Sequence, residues 1–178
     1  MPSKTEQGLS RMRFTRLFAG IVALAAGPAA AEGPKITPSG LEVPRYVSLK
    51  YAEVNARKGP DEAHQLLWIY HAKGLPVQVV AETREWRRIC DPEGGVAWVH
   101  KRTTDGRRSA MRVQPTNLPL LGAPKAGAKV TAYLKARSVA GLDKCEKGWC
   151  RLRADGASGW AREAEIWGAD PAVQCRKG

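Results

Sequence analysis

The stretch that decides the fold is WRRICDPEGGVAWVH, residues 86–100. It opens with a short alternating run, passes through a turn rich in Asp, Pro and Gly, and closes in the β-branched run VAWVH. Alternation with period 2 on both sides of such a turn predicts two short antiparallel strands. Ile89 then faces one way along the first strand, while Trp86, Arg88 and Cys90 face the other.

A similar stretch recurs later in the chain as WCRLRADGASGWARE, residues 149–163. Four pairs of landmarks are separated by nearly the same length of chain: Trp86 and Trp149, Trp98 and Trp160, Val77 and Val139, and Asn55 and Asn117. A constant offset indicates an internal repeat. The sequence therefore predicts an all-β protein with a first unit at 45–105 and a second unit at 109–168, each closed into a small barrel.

Residues 1–31 differ from the rest of the chain. The basic run SRMRFTR leads into LFAGIVALAAGPAAA, which ends in three alanines. This order predicts a secretory signal peptide over 1–31, cleaved near Ala31, and a periplasmic or secreted mature protein. Pro28 and the small residues leave the apolar run short of the roughly 20 residues that a membrane span needs. We therefore expect no transmembrane segment in the mature chain.

The segments that flank the two units are short and rich in turn-forming residues. Residues 32–44, EGPKITPSGLEVP, contain three prolines and two glycines, which predicts a linker. Residues 169–178 are expected to form a C-terminal tail.

The chain is strongly basic, with a formal net charge of +12. The predicted signal peptide carries four cations and one acid, so the mature part has a net charge of +9. Such a balance favours anionic partners, among them acidic polymers and lipid headgroups. Nucleic acid is not expected as a partner of an exported protein.

The four cysteines, Cys90, Cys145, Cys150 and Cys175, all lie after the predicted signal peptide. An even number in an oxidising compartment predicts two disulfides. In CEKGWC, Cys145 and Cys150 flank a four-residue turn, where opposed strand residues lie within disulfide reach. Cys90 then pairs with Cys175 by exclusion, which ties the tail to the first unit.

We expect no catalytic residues, metal ligands or cofactor. The three histidines, His64, His71 and His100, have no recognisable ligand spacing, and the chain contains no H-E-x-x-H or C-x-x-C pair. Cys90 and His100 are the one conceivable nucleophile and base, but a cysteine held in a disulfide offers no thiolate. The protein is therefore predicted not to be an enzyme.

Four motifs of the first unit appear in a familiar order: VNARKGP at 54–60, AKGLPVQVV at 72–80, EWRRI at 85–89 and GVAWVH at 95–100. Together they resemble the bacterial SH3-like (SH3b) family, which implies two tandem SH3-like barrels. The second unit keeps CRL and GWA but is degenerate, since the repeat offset places Pro119 where Arg57 stood. The family is often attached to cell-wall hydrolases, yet little sequence is left for a catalytic domain.

The predicted ligand groove of the first unit contains Arg57, Tyr70, Trp86 and Trp98. Aromatic rings would contact a peptide or sugar, and the arginine fork would hold a carboxylate. Alternatives remain open: Trp98 and Trp160 could close the barrel cores, Trp86 and Trp149 could pack between the units, and Arg57 could pair with Glu82 or Glu85.

The resulting hypothesis is an exported binding protein of the cell envelope. Its ligand would be a peptide, or the peptide and sugar parts of peptidoglycan. The alternative is a periplasmic scaffold that binds another exported protein through the same basic surface.

Overall fold

A computed structural model describes residues 35–175 of the chain. The signal peptide predicted for 1–31 lies outside these residues. Strands account for most of the regular structure, and the helical elements within 35–175 are two three-residue 3-10 turns. None of the helices in this range is long and apolar enough to cross a membrane. The all-β prediction is confirmed.

The first unit forms one seven-stranded antiparallel sheet with the order β5-β4-β8-β7-β6-β3-β9. A separate hairpin, β1 and β2, precedes it. A 3-10 turn at Lys101–Thr103 joins β8 to β9. The strands are β1 (Lys35–Ile36), β2 (Glu42–Val43), β3 (Arg45–Leu49), β4 (Val54–Arg57), β5 (Leu66–Tyr70), β6 (Pro76–Glu82), β7 (Trp86–Cys90), β8 (Val96–His100) and β9 (Thr104–Asp105).

The second unit repeats this topology in a six-stranded sheet with the order β10-β13-β14-β15-β11-β12. A bridge between Met111 and Trp167 takes the place of the β3–β9 pairing. A second 3-10 turn covers Glu163–Glu165. The strands are β10 (Ser109–Met111), β11 (Leu118–Leu121), β12 (Val130–Leu134), β13 (Val139–Glu146), β14 (Trp149–Ala154) and β15 (Ala157–Arg162). Two sheets with matching strand order confirm the predicted duplication.

Each sheet wraps around its own apolar core, as expected for strands with one buried face. The core of the first unit includes Val54, Ala56, Val77, Ile89 and Val99. The core of the second unit consists of equivalent positions, among them Leu118, Leu120, Leu142, Leu152 and Ala161. Alternate residues on every strand therefore point away from the cores and form an outer face on each unit.

The two units are joined by direct hydrogen bonds as well as by the chain. Ser109 donates its hydroxyl to the Gly74 carbonyl at 2.7 Å. The Trp167 indole donates to the Pro76 carbonyl at 3.0 Å, and its ring meets Tyr46 edge-on. These contacts fix both ends of the second unit against the first unit, at Gly74 and at strand β6.

The segment predicted as a linker is structured over its described part. Residues 35–43 form the β1–β2 hairpin, and Val43 belongs to the core of the first unit. The hairpin is held by Glu82, which accepts hydrogen bonds from the Thr37 hydroxyl and from the Ser39 backbone amide. The linker prediction is wrong here because this buried carboxylate gives a Pro- and Gly-rich segment fixed partners.

The tail also packs against the first unit. Gln78 is fully buried, and its side chain donates to the Ala172 carbonyl and accepts from the Gln174 amide. Cys90 and Cys175 form one disulfide, and Cys145 and Cys150 form the other. Both predicted pairings are confirmed, and no cysteine between residues 35 and 175 is left as a thiol.

Candidate functional site

One row of side chains crosses the outer face of the first unit, and Trp98 stands at its centre. The strand register places Trp98 directly opposite Arg57 on β4 and Arg88 on β7. All three side chains are half-buried. Directly opposed residues in an antiparallel pair lie about 4.5–5.5 Å apart. Trp98 therefore has an arginine directly opposite it on each of the two neighbouring strands.

The alternation of core residues explains why this row faces outward. Ala56 precedes Arg57 in the core, Val99 follows Trp98 there, and Ile89 follows Arg88. Because successive strand residues point to opposite faces, their neighbours must point away from the core. The prediction that Ile89 lies on one face of β7 and Arg88 on the other is thus confirmed. Neither Trp98 nor Trp160 belongs to a barrel core, so that alternative for the two tryptophans is wrong.

The two arginines of the row have no carboxylate within 4.0 Å among the described residues. Arg57 donates one hydrogen bond, at 2.9 Å, to the backbone carbonyl of His64. The acids considered as its partners are engaged elsewhere: Glu82 contacts Arg45 and Arg87, and Glu85 contacts Lys101 at 2.9 Å. That hydrogen bond from Lys101 lowers the pKa of Glu85. Arg57 therefore keeps most of its donors for another acceptor.

A groove of about 320 Å³ lies beside this row. It brings Arg57 and Trp86 together and adds His100 and two acids, Glu53 and Glu62. The remaining lining residues are Val54, Asn55 and Thr103. Trp86 is 9% exposed although it lies outside the core, because the His100 ring packs edge-on against it at 5.3 Å. This lining carries both signs of charge.

Tyr70 does not belong to this groove. It points into the core of the first unit, and its hydroxyl donates to the Asp91 carboxylate at 2.8 Å. Burial, followed by the charge of Asp91, raises the pKa of Tyr70. The placement of Tyr70 in the ligand groove is therefore wrong, because on β5 it pairs with the inward-facing Val54.

The second unit has a different residue at the position of Arg57. Arg57 pairs with Trp98, and Leu121 pairs with Trp160 in the same way. The true equivalent of Arg57 is thus Leu121 and not Pro119. The sequence distance from Arg57 to Leu121 exceeds that from Trp98 to Trp160, because the connections between the strands differ in length in the two units. The second unit still lacks an arginine at this point.

The sequence profile of the bacterial SH3 domain matches residues 50–106 and 114–168, which is more than half of the chain. The chain belongs to the bacterial SH3 domain family. The first unit is its first SH3 domain and the second unit its second, as the motifs predicted. Among the curated proteins, none matches the chain.

Two solved structures are similar to this chain over part of their length. NlpC2 from Trichomonas vaginalis shares 16% identity and a TM-score of 0.32, over 70% of this chain and 48% of that one. NlpC1 from the same organism shares 17% identity and a TM-score of 0.33, over 79% of this chain and 51% of that one. The chain thus spans about half the length of each.

Sequence reasoning missed two residues of the site in the first SH3 domain. The predicted groove contains neither Arg88 nor His100, and the sequence offers His100 only as a metal ligand or base. Period-2 alternation did place Arg88 on the face of Trp86. Only the pairing of β7 with β8 shows that Arg88 lies opposite Trp98 and that His100 lies opposite Trp86. No group of His, Cys, Asp and Glu suited to a metal occurs in the described part of the chain.

Proposed function

We propose that the protein is an exported, non-catalytic binding protein of the cell envelope. Its first SH3 domain binds a peptide, or the peptide part of peptidoglycan. The observation that carries this proposal is that Trp98 pairs in register with two arginines, Arg57 and Arg88, that have no carboxylate partner between residues 35 and 175. Half-buried guanidinium groups without an acid favour an anionic ligand that supplies one.

The chemistry of the site suits a ligand with both carboxylate and amino groups. The planar guanidinium of Arg57 can bind a carboxylate through two parallel hydrogen bonds. The Trp98 ring offers an apolar surface beside it. Glu53 and Glu62 in the adjoining groove can accept from an ammonium group. Peptides, including the peptides of a bacterial wall, carry both kinds of group.

Two features support the export and the absence of catalysis in this proposal. Disulfides persist in oxidising compartments outside the cytoplasm, and all four cysteines are paired in this way. Cys90 therefore has no thiolate to offer as a nucleophile.

We expect substitutions in the row to weaken binding without unfolding the domain. Arg57→Gln removes the carboxylate fork, and Trp98→Ala removes the apolar surface, so each lowers the affinity for soluble wall peptides roughly tenfold. Isothermal titration calorimetry and co-sedimentation with purified sacculi at low salt measure this loss. Because Trp98 lies outside the core, its replacement leaves the melting temperature nearly unchanged.

Arg151→Gln is the matched control, because Arg151 lies opposite the equivalent tryptophan of the second SH3 domain. It removes the same charge and leaves wall-peptide affinity unchanged. Unaltered binding by both Arg57→Gln and Trp98→Ala would contradict the proposal, as would the failure of the unsubstituted protein to sediment with sacculi.

One observation favours the alternative of a scaffold that binds another exported protein. Strand β5 is an edge strand of the first sheet, and it exposes Leu66, Leu67 and Ile69 by 39–43%. Open sheet edges with apolar side chains accept a further strand from a partner. Crosslinking in the periplasm decides between the two functions. A single stoichiometric protein partner without wall binding would support the scaffold.

A further inference from the structure

The second SH3 domain carries its own row of outward-facing side chains, in strict register with the row of the first. Trp160 lies opposite Arg151, and Arg151 lies opposite Lys144. On the other side of Trp160 the row continues through Leu121 to Val130. The cations of this row thus lie together on one side of the tryptophan, whereas arginines flank Trp98 on both sides.

The tryptophans of this surface are covered by cations. The Lys144 ammonium lies 5.2 Å from the centre of the Trp160 ring, and the Arg162 guanidinium lies 4.3 Å from that of Trp149. Trp160 and Trp149 are consequently only 8% and 7% exposed, although both lie outside the core. Cation–π contact holds the two long side chains against the sheet. Their positive charges therefore stand at defined places before any ligand arrives.

Most of these charges have no internal partner. Lys144 contacts Glu146 at 3.1 Å. Arg151 and Arg162 have no carboxylate within 4.0 Å in the part of the chain that the structure describes, and Arg151 donates a hydrogen bond to the Ser158 hydroxyl at 3.4 Å. We call Lys144, Arg151, Arg162 and the two tryptophans beneath them the cationic face.

The second domain, which carries the cationic face, also has the larger net positive charge. Residues 109–168 contain ten basic and five acidic side chains, a net charge of +5, whereas residues 45–105 contain ten and eight, a net charge of +2. The excess positive charge of the mature protein is therefore greater on the domain that lacks the Arg57 equivalent. Binding a ligand with a single carboxylate does not require such an excess of positive charge, whereas binding a polymer with many anionic groups does.

We propose that the cationic face is a second binding site, and that its ligand is a linear polyanion with repeated carboxylate or phosphate groups. Preordered cations lose little conformational entropy when they bind, which favours successive oxyanions along one chain. A lipid surface fits less well, because interfacial anchoring uses aromatic rings that protrude, and both rings here are covered. The protein would then bind two ligands at once, one on each SH3 domain.

The test uses the oxidised protein and polygalacturonate, a linear polymer with one carboxylate per sugar, with neutral dextran as the polymer control. The variant Arg151→Gln/Arg162→Gln is compared with Lys73→Gln/Arg84→Gln, which removes the same charge from the first domain at two exposed residues outside its candidate site. At low ionic strength we expect the first variant to lose roughly tenfold or more in affinity and the second to lose less than about twofold. Added salt should abolish the difference, since it screens exposed charges.

Three results would overturn the proposal. Equal losses of affinity in both variants would show that only the net charge matters. If the protein bound neither polygalacturonate nor inorganic polyphosphate, the cationic face would not be a polyanion site. Tight binding to phosphatidylglycerol vesicles in their place would assign the face to lipid. If the double variant unfolds, Arg151→Glu alone replaces it, because Arg151 is exposed and covers neither ring. Wall-peptide binding is measured separately on the Arg57 variants. That measurement tests the proposed function of the first domain independently of the polyanion result.

Discussion

Replacing Cys90 and Cys175 together by alanine should lower the free energy of unfolding by about 4 kcal/mol. The bond between them links positions 85 residues apart and therefore restricts most of the unfolded chain. It also fixes the tail, whose Ala172 and Gln174 backbone groups satisfy the fully buried Gln78. Without the bond, this segment can leave and expose Gln78 to water. Chemical denaturation of the oxidised proteins measures the loss.

The second disulfide is the matched control. Cys145 and Cys150 are only 5 residues apart, and their strands are already paired in the β13–β14 hairpin. Removing this bond should cost only about 2 kcal/mol, because closing a short loop restricts the unfolded state less. Equal losses in the two double variants would contradict this entropic account of the long bond.

The second large effect is expected at Glu82. Its side chain is 2% exposed and lies between Arg45 and Arg87, with the β1–β2 hairpin above it. Glu82→Gln keeps the size of the side chain but leaves two largely buried guanidinium groups without a counter-charge. Breaking a buried ion pair in this way costs roughly 3 kcal/mol or more. Thermal and urea unfolding measure the loss, and hydrogen exchange should show the greatest loss of protection in the hairpin.

Glu82 should also make the stability depend on pH. Burial raises the pKa of Glu82, but hydrogen bonds from Ser39, Thr37 and Arg45 outweigh it and lower the pKa from 4.5 to about 2. A carboxyl group whose pKa is lower in the folded than in the unfolded state stabilises the protein at pH values above its unfolded-state pKa. This stabilisation is lost as the pH falls through its folded-state pKa. Stability should therefore decline between about pH 5 and pH 2 in the natural protein.

The comparison with Glu82→Gln isolates this contribution. The variant should show a flatter acid limb, since the titrating group is gone. Glu85→Gln is the control, because Glu85 is exposed and makes its ion pair with Lys101 at the surface. The same acid limb in the natural protein and in Glu82→Gln would contradict the role given to this carboxylate.

Local patterns were sufficient for the duplication, the strands and the Cys145–Cys150 disulfide, because each of these depends on residues close in sequence or on a periodic repeat. The outward direction of Trp86 and Arg88 followed from alternation with Ile89 for the same reason. The Cys90–Cys175 pairing followed by exclusion. The prediction for Tyr70 fails because its direction depends on its register with β4, where it pairs with the inward-facing Val54. The 35–43 hairpin was interpreted as a linker because its partner, Glu82, lies far along the chain from Thr37.

The amino-acid sequence by itself determined the family, the two-unit architecture and the residue types of the candidate site. Motif order, strand periodicity and cysteine spacing are all one-dimensional properties. Only the tertiary structure decided that Arg57 and Arg88 flank Trp98, and that Leu121 takes the place of Arg57 in the second domain. The physical reason is strand register. Bulges and unequal loops shift the pairing, and the pairing determines which distant side chains become neighbours.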